Sequence, residues 1–245
     1  MVRRCGVLLL LWTAPACLGC LAVRPPTPAA CVCASDLEAQ PAPPGERYYC
    51  LVFSAQSVPK LPRYTHTWVT AVRATPREQG RPPELDVQTI SWLPATRRIE
   101  PFDLCVEPGV NLDLYATLRL MQAQGMTVSL WGPFEMRRGV YRNFLARKRF
   151  VESGRLAYQA CDAVGEAAWT GAGSNCIHAV TDADPAFGAG PALAFGYDAA
   201  SAMTAHLACS GGLLCPGQTH DWLIPALGLD SYPIRPQTAR LPAGR

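Results

Sequence analysis

Two short stretches carry residue types suited to covalent chemistry. Ser174-Asn175-Cys176-Ile177-His178-Ala179-Val180 places a cysteine at the expected start of a helix. Asn175 is of the N-cap type, which puts Cys176 in the first helical turn, where backbone N–H groups and the helix dipole favour thiolate, the reactive form. Tyr64-Thr65-His66-Thr67-Trp68-Val69-Thr70 places a histidine entering an expected strand. A thiol within reach of an imidazole is a nucleophile–base pair. His178, two positions after Cys176, lies roughly 200° round a helix from it and points elsewhere. His66 is far upstream and can approach only through the fold. The competing reading makes Cys176 a buried small residue or half of a disulfide, and His66 a core or surface histidine.

Other groups point to less. His220 and Asp221 could meet Asp182, Asp184 or His178, but the spacing matches no standard zinc pattern, so no metal and no cofactor are expected. His220 reads as a surface or capped residue beside a buried Trp222. Arg137, Arg138, Arg142, Arg147, Lys148, Arg149 and Arg155 make a basic helix, with Phe144, Leu145 and Phe150 turned inward. Such a run reads first as a solvated face, and second as a contact for anionic headgroups or cell-wall polymer. Trp131, Trp169 and Trp222 read as core or groove residues rather than sugar platforms. A formal charge of +3 gives no argument for nucleic acid.

The elements that must position these groups follow from patterning. With 245 residues and 49% hydrophobic content, the chain can bury one sizeable core. Pro 23 and Gly 20 add many loops. One domain over 48–235 is expected. Strands are expected over 48–54, over 67–73 (alternating, hence half-buried), over 85–93 as the return of a hairpin, over 102–106 and over 126–131, closed by Gly132-Pro133. Asn111-Leu112-Asp113 opens an amphipathic helix stopped at Gly125. A basic helix over 136–153, a strand or turn over 156–162, the Cys176 helix and a helix over 199–207 follow. The order gives α+β, an antiparallel sheet packed against helices.

The amino end reads as an export signal over 1–20: Arg3 and Arg4, then apolar Val7 to Trp12, then small residues. Cys20, or alternatively Cys17, is placed for lipidation, with simple cleavage as the other outcome. A Pro/Ala-rich tether over 21–47 and a polar tail over 236–245 flank the domain. Export implies a periplasmic or cell-envelope protein, possible membrane anchoring through an N-terminal lipid, and disulfides among the eleven cysteines, Cys209 with Cys215 being the plausible local bridge.

The histidine-first, cysteine-later order resembles the circularly permuted papain-like group of the NlpC-type hydrolases. Asn175-Cys176-Ile177-His178 is similar to the Asn-Cys-x-His string of lecithin:retinol acyltransferase-like proteins. The resemblance covers two short motifs and their order. It implies a permuted papain-like arrangement and thiol-based cleavage or transfer of amide or ester bonds, with Cys176 as nucleophile and His66 as base. The third, orienting residue would be Ser91, Gln88 or Thr89. The backbone N–H of Cys176, supported by Asn175, would form the oxyanion hole with one further donor, for which Gln56 is placed. Cell-wall peptide, or second a lipid ester, would be the substrate. The carboxyl end, from His220-Asp221-Trp222 to Asp230, is similar to that of uncharacterised exported bacterial proteins and carries no activity with it. The alternative is a non-catalytic, disulfide-stabilised envelope lipoprotein with a binding or structural role.

Overall fold

A computed structural model of the chain describes residues 45–78, 81–163, 166–188 and 194–239. The export signal over 1–20 with Cys20, nearly all of the tether, Cys31 and Cys33 lie outside the described residues, as does the tail from 240 onward. The first apolar run, Tyr48 to Phe53, alternates between two cores rather than between core and water. β1 (Arg47–Gln56) sends Tyr48, Cys50 and Val52 to one cluster and Tyr49, Leu51 and Phe53 to the other. β2 (Thr65–Thr75) pairs antiparallel with it along its length, Arg47 opposite Ala74 and Gln56 opposite Thr65. Helices cover both faces, so β2 is buried nearly throughout instead of half-buried as expected. Full burial of one such side chain, Phe53 for instance, contributes roughly 1.5–3 kcal/mol.

The remaining elements are β3 (Glu84–Ile90), β4 (Trp92–Pro94), β5 (Glu107–Asn111), α1 (Leu114–Ala123), β6 (Thr127–Glu135), α2 (Arg138–Val151), β7 (Ala157–Tyr158), α3 (Glu166–Thr170), β8 (Gly173–Ser174), α4 (Cys176–Thr181), α5 (Tyr197–Cys209), α6 (Leu223–Ala226) and β9 (Ile234–Gln237). The larger sheet has the order β3-β2-β1-β6-β9 and the smaller β4-β5-β7-β8. The fold is mixed α+β. The sheets are not purely antiparallel as expected, because β6 pairs parallel with β9 and β7 with β8. α2, α4 and α5 cover the face of Val52 and Val69, whereas α1 and α6 cover the face of Phe53 and Trp68.

Local chemistry explains where expected boundaries moved. The return strand over 85–93 splits at Ser91, because Asn111 inserts its side chain there. Its Oδ1 accepts from the Ser91 N–H at 2.8 Å, and its Nδ2 donates to the Thr89 carbonyl at 2.9 Å. The strand expected over 102–106 is irregular. Asp103 accepts from the Cys105 N–H at 2.9 Å, a local turn that competes with strand pairing, and Phe102 is 91% exposed. Of the Asn111-Leu112-Asp113 stretch expected to open the helix, Asn111 ends β5 and Asp113 caps α1, accepting from the Ala116 N–H at 2.7 Å. Gly132, at φ 93, does not end β6. It sits where the β1–β6 register shifts between Cys50 and Val52, a bulge that lets the strand continue to Glu135. The tail expected from 236 begins inside β9, which runs to Gln237.

Two further expectations are overturned. Trp169 on α3 is 88% exposed, not a core or groove residue, and Trp222 is 41% exposed while its neighbour His220 is the buried one. No disulfide is present among the described residues, Cys209 and Cys215 included. The chain between those two is bound to β6 and the start of α2. Arg137 N–H donates to the Gly212 carbonyl at 3.0 Å, and Leu214 N–H to the Glu135 carbonyl at 2.9 Å. That anchoring ties the segment after Gly211 to the end of β6 and the start of α2, with Gly212 packed against Leu207 of α5.

Within the smaller sheet, Gly109 on β5 lies directly against the indole of Trp92 on the neighbouring β4. A Cβ there would lie 2.0 Å from Cζ2 of Trp92, whose indole Nε1 donates to the Ser174 carbonyl at 3.2 Å. Gly109→Ala is therefore expected to push the indole off Ser174 and to destabilise the fold by about 1–3 kcal/mol in urea denaturation. An unchanged midpoint would show that the indole has room to move.

Candidate functional site

β2 outruns its neighbour. β3 ends at Ile90, opposite Val69, so residues 65–68 have no β3 partner. The start of α4 comes to this stretch, and the Cys176 sulfur receives the backbone N–H of Thr67, the residue next to His66. The fold thus brings the cysteine and histidine stretches to adjacent backbone positions.

The side chains themselves are turned differently. Strand alternation sends the imidazole of His66 to the same face as Trp68, with the two rings stacked at 5.4 Å. His66 Nε2 lies 2.8 Å from Ser91 Oγ, and both residues are buried. Nδ1 of His66 is buried without a hydrogen-bond partner. An unpaired buried N–H is costlier than an unpaired lone pair, so the favoured tautomer carries its proton on Nε2, donates to Ser91 and leaves a free lone pair at Nδ1. Among the described residues no hydrogen bond joins Cys176 to His66. Thr89, the neighbouring strand candidate, is engaged with Thr70 at 3.0 Å, and Gln88 donates to Asp86 at 2.6 Å. Of the three candidates for the orienting role, Ser91 is the one hydrogen-bonded to the imidazole.

Burial decides both protonation states. Desolvation raises the Cys176 thiol to about 11, against the opposing pull of the N–H groups of Thr67, Cys176 and Ile177, while the nearby Asp162 carboxylate adds to the rise. The expected lowering by the helix start is present but outweighed, since α4 has only six residues and the sulfur is out of water. Desolvation likewise depresses His66 to about 3, so the imidazole is neutral. Both groups rest uncharged.

Asn175 and His178 have structural tasks. Asn175 Oδ1 accepts from the N–H groups of Ile177 and His178 at 2.8 and 2.9 Å, capping α4. The Asn175 backbone N–H and Nδ2 both donate to Asp162, at 2.8 and 2.9 Å. His178 Nδ1 reaches the same carboxylate at 2.7 Å, which raises the histidine pKa. Asp162 therefore ties the turn before Cys176 to the first turn after it. Arg147 holds the other end. Its Nε donates to the Ala179 carbonyl at 3.1 Å and its Nη2 to Asp182 at 2.7 Å, so this member of the basic helix faces α4 rather than solvent. Sequence reasoning missed Asp162, Arg147 and Thr67; only the i,i+3 pairing of Asn175 with His178 hinted that a shared partner was needed.

Gln56 ends β1 next to Thr65, and its Oε1 accepts from the Tyr197 N–H at the start of α5 at 3.2 Å. Its side-chain oxygen is thus committed to α5. Among the described residues no group of three or more His, Cys, Asp or Glu side chains is gathered as for a metal ion. A surface groove of about 340 Å³, lined by Arg47, Tyr49, Arg77 and Trp222 among others, lies at the far end of β1 from Cys176.

The depressed His66 has a consequence for acid stability. Its folded value lies below the ordinary histidine value near 6.5, so the unfolded chain binds the extra proton first and stability falls as pH drops from about 6.5 towards 3. At pH 5 the loss from this one group is about 2 kcal/mol. His178 has the opposite sign: its raised value gives a contribution present below about 6.5 and lost as pH rises through the folded value. His66→Gln should therefore lose about 2 kcal/mol less stability than the parent between pH 7 and pH 5, measured by urea denaturation at both. Equal losses would mean that His66 is not held neutral.

No family model, no curated protein and no solved structure matches the chain.

Proposed function

We propose that the chain is a thiol hydrolase or acyl/peptidyl transferase of permuted papain-like arrangement, acting on an amide or ester bond in the cell envelope. The observation that supports it best is the seating of the Cys176 sulfur on the Thr67 N–H, one residue from an imidazole held by Ser91 at Nε2 and unpaired at Nδ1. In this reading the imidazole, which rests on the Trp68 face of β2 while Cys176 lies in the cluster on the other face, turns towards α4 as substrate binds, and His66 Nδ1 then takes the thiol proton as sulfur attacks the carbonyl carbon. The carbonyl oxygen becomes an oxyanion held by the Cys176 backbone N–H and the side-chain NH2 of Gln56. Collapse expels the amine or alcohol, which leaves with the proton from His66, and Cys176 is left as a thioester. Water or an acceptor amine then attacks, gives its proton to His66 and restores the thiol. Ser91 is a positioning residue that fixes the imidazole tautomer, and Asn175 with Asp162 fixes the turn that carries the nucleophile. Catalytic hydrogen bonds are often long in unliganded sites and tighten on substrate.

Export, a cell-envelope location and an N-terminal lipid on Cys20 belong to the same proposal and rest on the sequence of the first residues. No helix among the described residues is long and apolar enough to cross a membrane. A second reading, a non-catalytic envelope protein, is favoured by one feature: Cys176 and His66 are both buried and both held uncharged.

Intact-mass analysis of the full chain with an activated acyl ester separates the two. The expected result is a single acyl adduct on Cys176 that turns over, is absent from Cys176→Ala, and forms about 100-fold or more slowly in His66→Gln. Ser91→Ala should lower kcat by about tenfold with little change in KM, and shift the pH profile, as loss of an orienting hydrogen bond would. A Cys176 that neither acylates nor reacts with iodoacetamide in the folded protein would leave the non-catalytic reading.

A further inference from the structure

The turn joining β1 to β2, residues 57–64, reads Ser57-Val58-Pro59-Lys60-Leu61-Pro62-Arg63-Tyr64. It is tied down by its own hydrogen bonds. The Ser57 N–H donates to the Tyr64 carbonyl at 3.0 Å, the Ser57 hydroxyl to the Pro59 carbonyl at 2.7 Å, and the Leu61 N–H to Ser57 Oγ at 3.3 Å. Two prolines stiffen it further. Yet its large apolar side chains face outward: Val58 is 84% exposed, Leu61 43% and Tyr64 42%. Phe195, before α5, extends the same patch at 38% exposure, with Lys60 Nζ 5.9 Å above its ring and 2.6 Å from Asp198. A turn this well ordered has no folding reason to display them, and contiguous exposed apolar groups mark an interaction site.

We infer that this turn, with Phe195, is a docking tip that inserts into the surface of a phospholipid bilayer. Its chemistry matches the interfacial zone. Aliphatic Val58 and Leu61 suit the acyl boundary, Tyr64 and Phe195 the headgroup border, and Arg63 can rise on its flexible stem to lipid phosphates, while Lys60 neutralises Asp198 beside the patch. No acidic residue lies between Ser57 and Tyr64, so nothing in the turn repels an anionic surface. The patch is a turn at the end of the sheet with cations set among apolar groups, a mixture that fits the interface of a fluid layer. The turn leads within two residues to His66, so docking would bring the Cys176 end of the sheet to the membrane. Resting on the activity proposed above, this makes the acyl ester of a membrane lipid, rather than wall peptide, the substrate class.

Hydrogen–deuterium exchange of the full chain, with and without vesicles of phosphatidylcholine and phosphatidylglycerol, tests it. Exchange in peptides covering 57–64 and 194–198 is expected to slow at least about threefold on vesicles, in the parent and equally in Cys176→Ala. Val58→Asp with Leu61→Asp should abolish that slowing while leaving the far-end peptides over 47–52 unchanged. Slowing confined to residues 1–44, or produced by soluble wall peptides and not by vesicles, overturns the docking tip. Because the readout survives loss of Cys176, failure of docking and failure of the thiol chemistry are told apart. If both hold, the double variant keeps the parent's rate on a soluble short-chain ester and loses about tenfold or more on the ester held in vesicles.

Discussion

A backbone N–H at the edge of a buried sheet must find an acceptor, and the absence of β3 alongside residues 65–68 leaves that demand unmet by strand pairing. The Cys176 sulfur meets it at Thr67. What fixes this arrangement is the insertion of Asn111 at Ser91, since a β3 that ran on would fill the place where α4 begins. The chain instead turns at Ser91 into the smaller sheet, and Trp92 then donates to the Ser174 carbonyl, just before the N-cap of α4. One asparagine side chain thus sets the end of a strand, the position of Ser91 under the imidazole and the space for Cys176.

The electrostatics follow from the same geometry. Three N–H groups converge on the sulfur, an arrangement that in a wet cleft would favour thiolate. Here the sulfur has lost water, and removal of solvent from a thiolate costs more than three dipoles return. The opposite shift of His66 has the same origin, because an imidazolium sealed beneath Trp68 and Phe53 would have no counter-charge. A nucleophile–base pair works by transferring a proton between neutral partners at the moment of attack, so a neutral resting pair is compatible with chemistry provided that substrate brings dipoles or admits water. The same neutrality makes the Cys176 thiol slow to oxidise, since thiolate is the form that oxidises.

Much of this was legible in the sequence where one residue dictates its own surroundings. Asn175 as N-cap, an amphipathic helix after Asn111-Leu112-Asp113 and the apolar run of β1 are local statements, and the structure has each of them. Mixed α+β organisation was likewise readable from element order. Legibility stopped where a partner comes from far along the chain. Asp162 looks like any loop carboxylate until Asn175 and His178 are both seen to need it. Arg147 sits in a run of arginines that patterning assigns to solvent, and only the approach of α4 turns it inward. The two-sided burial of β2 was missed because Trp68, Thr70 and Val72 set against Val69 and Ala71 reads as a half-wet strand, whereas Thr67 and Thr70 are both buried, Thr70 paired with Thr89 and Thr67 with the Gly196 carbonyl. Cysteine count implied disulfides, but bridging depends on Cα separation and direction, which composition does not contain.

The Asn-Cys-x-His string has a physical reading that does not depend on its role in chemistry. An N-cap asparagine spends its carbonyl on the helix and has its amide NH2 left over; a histidine three residues on spends its backbone N–H on that carbonyl and has its ring left over. Both leftovers fall on the same side, and one buried carboxylate, Asp162, takes both. The residue between them, Cys176, is thereby held in a turn whose two flanks are pinned to a third element. Positioning to a fraction of an ångström is what a reacting sulfur requires, and a first turn that could fray would not supply it. A six-residue helix has few intrahelical hydrogen bonds of its own, so this clamp is what keeps the first turn of α4, and Cys176 with it, from fraying.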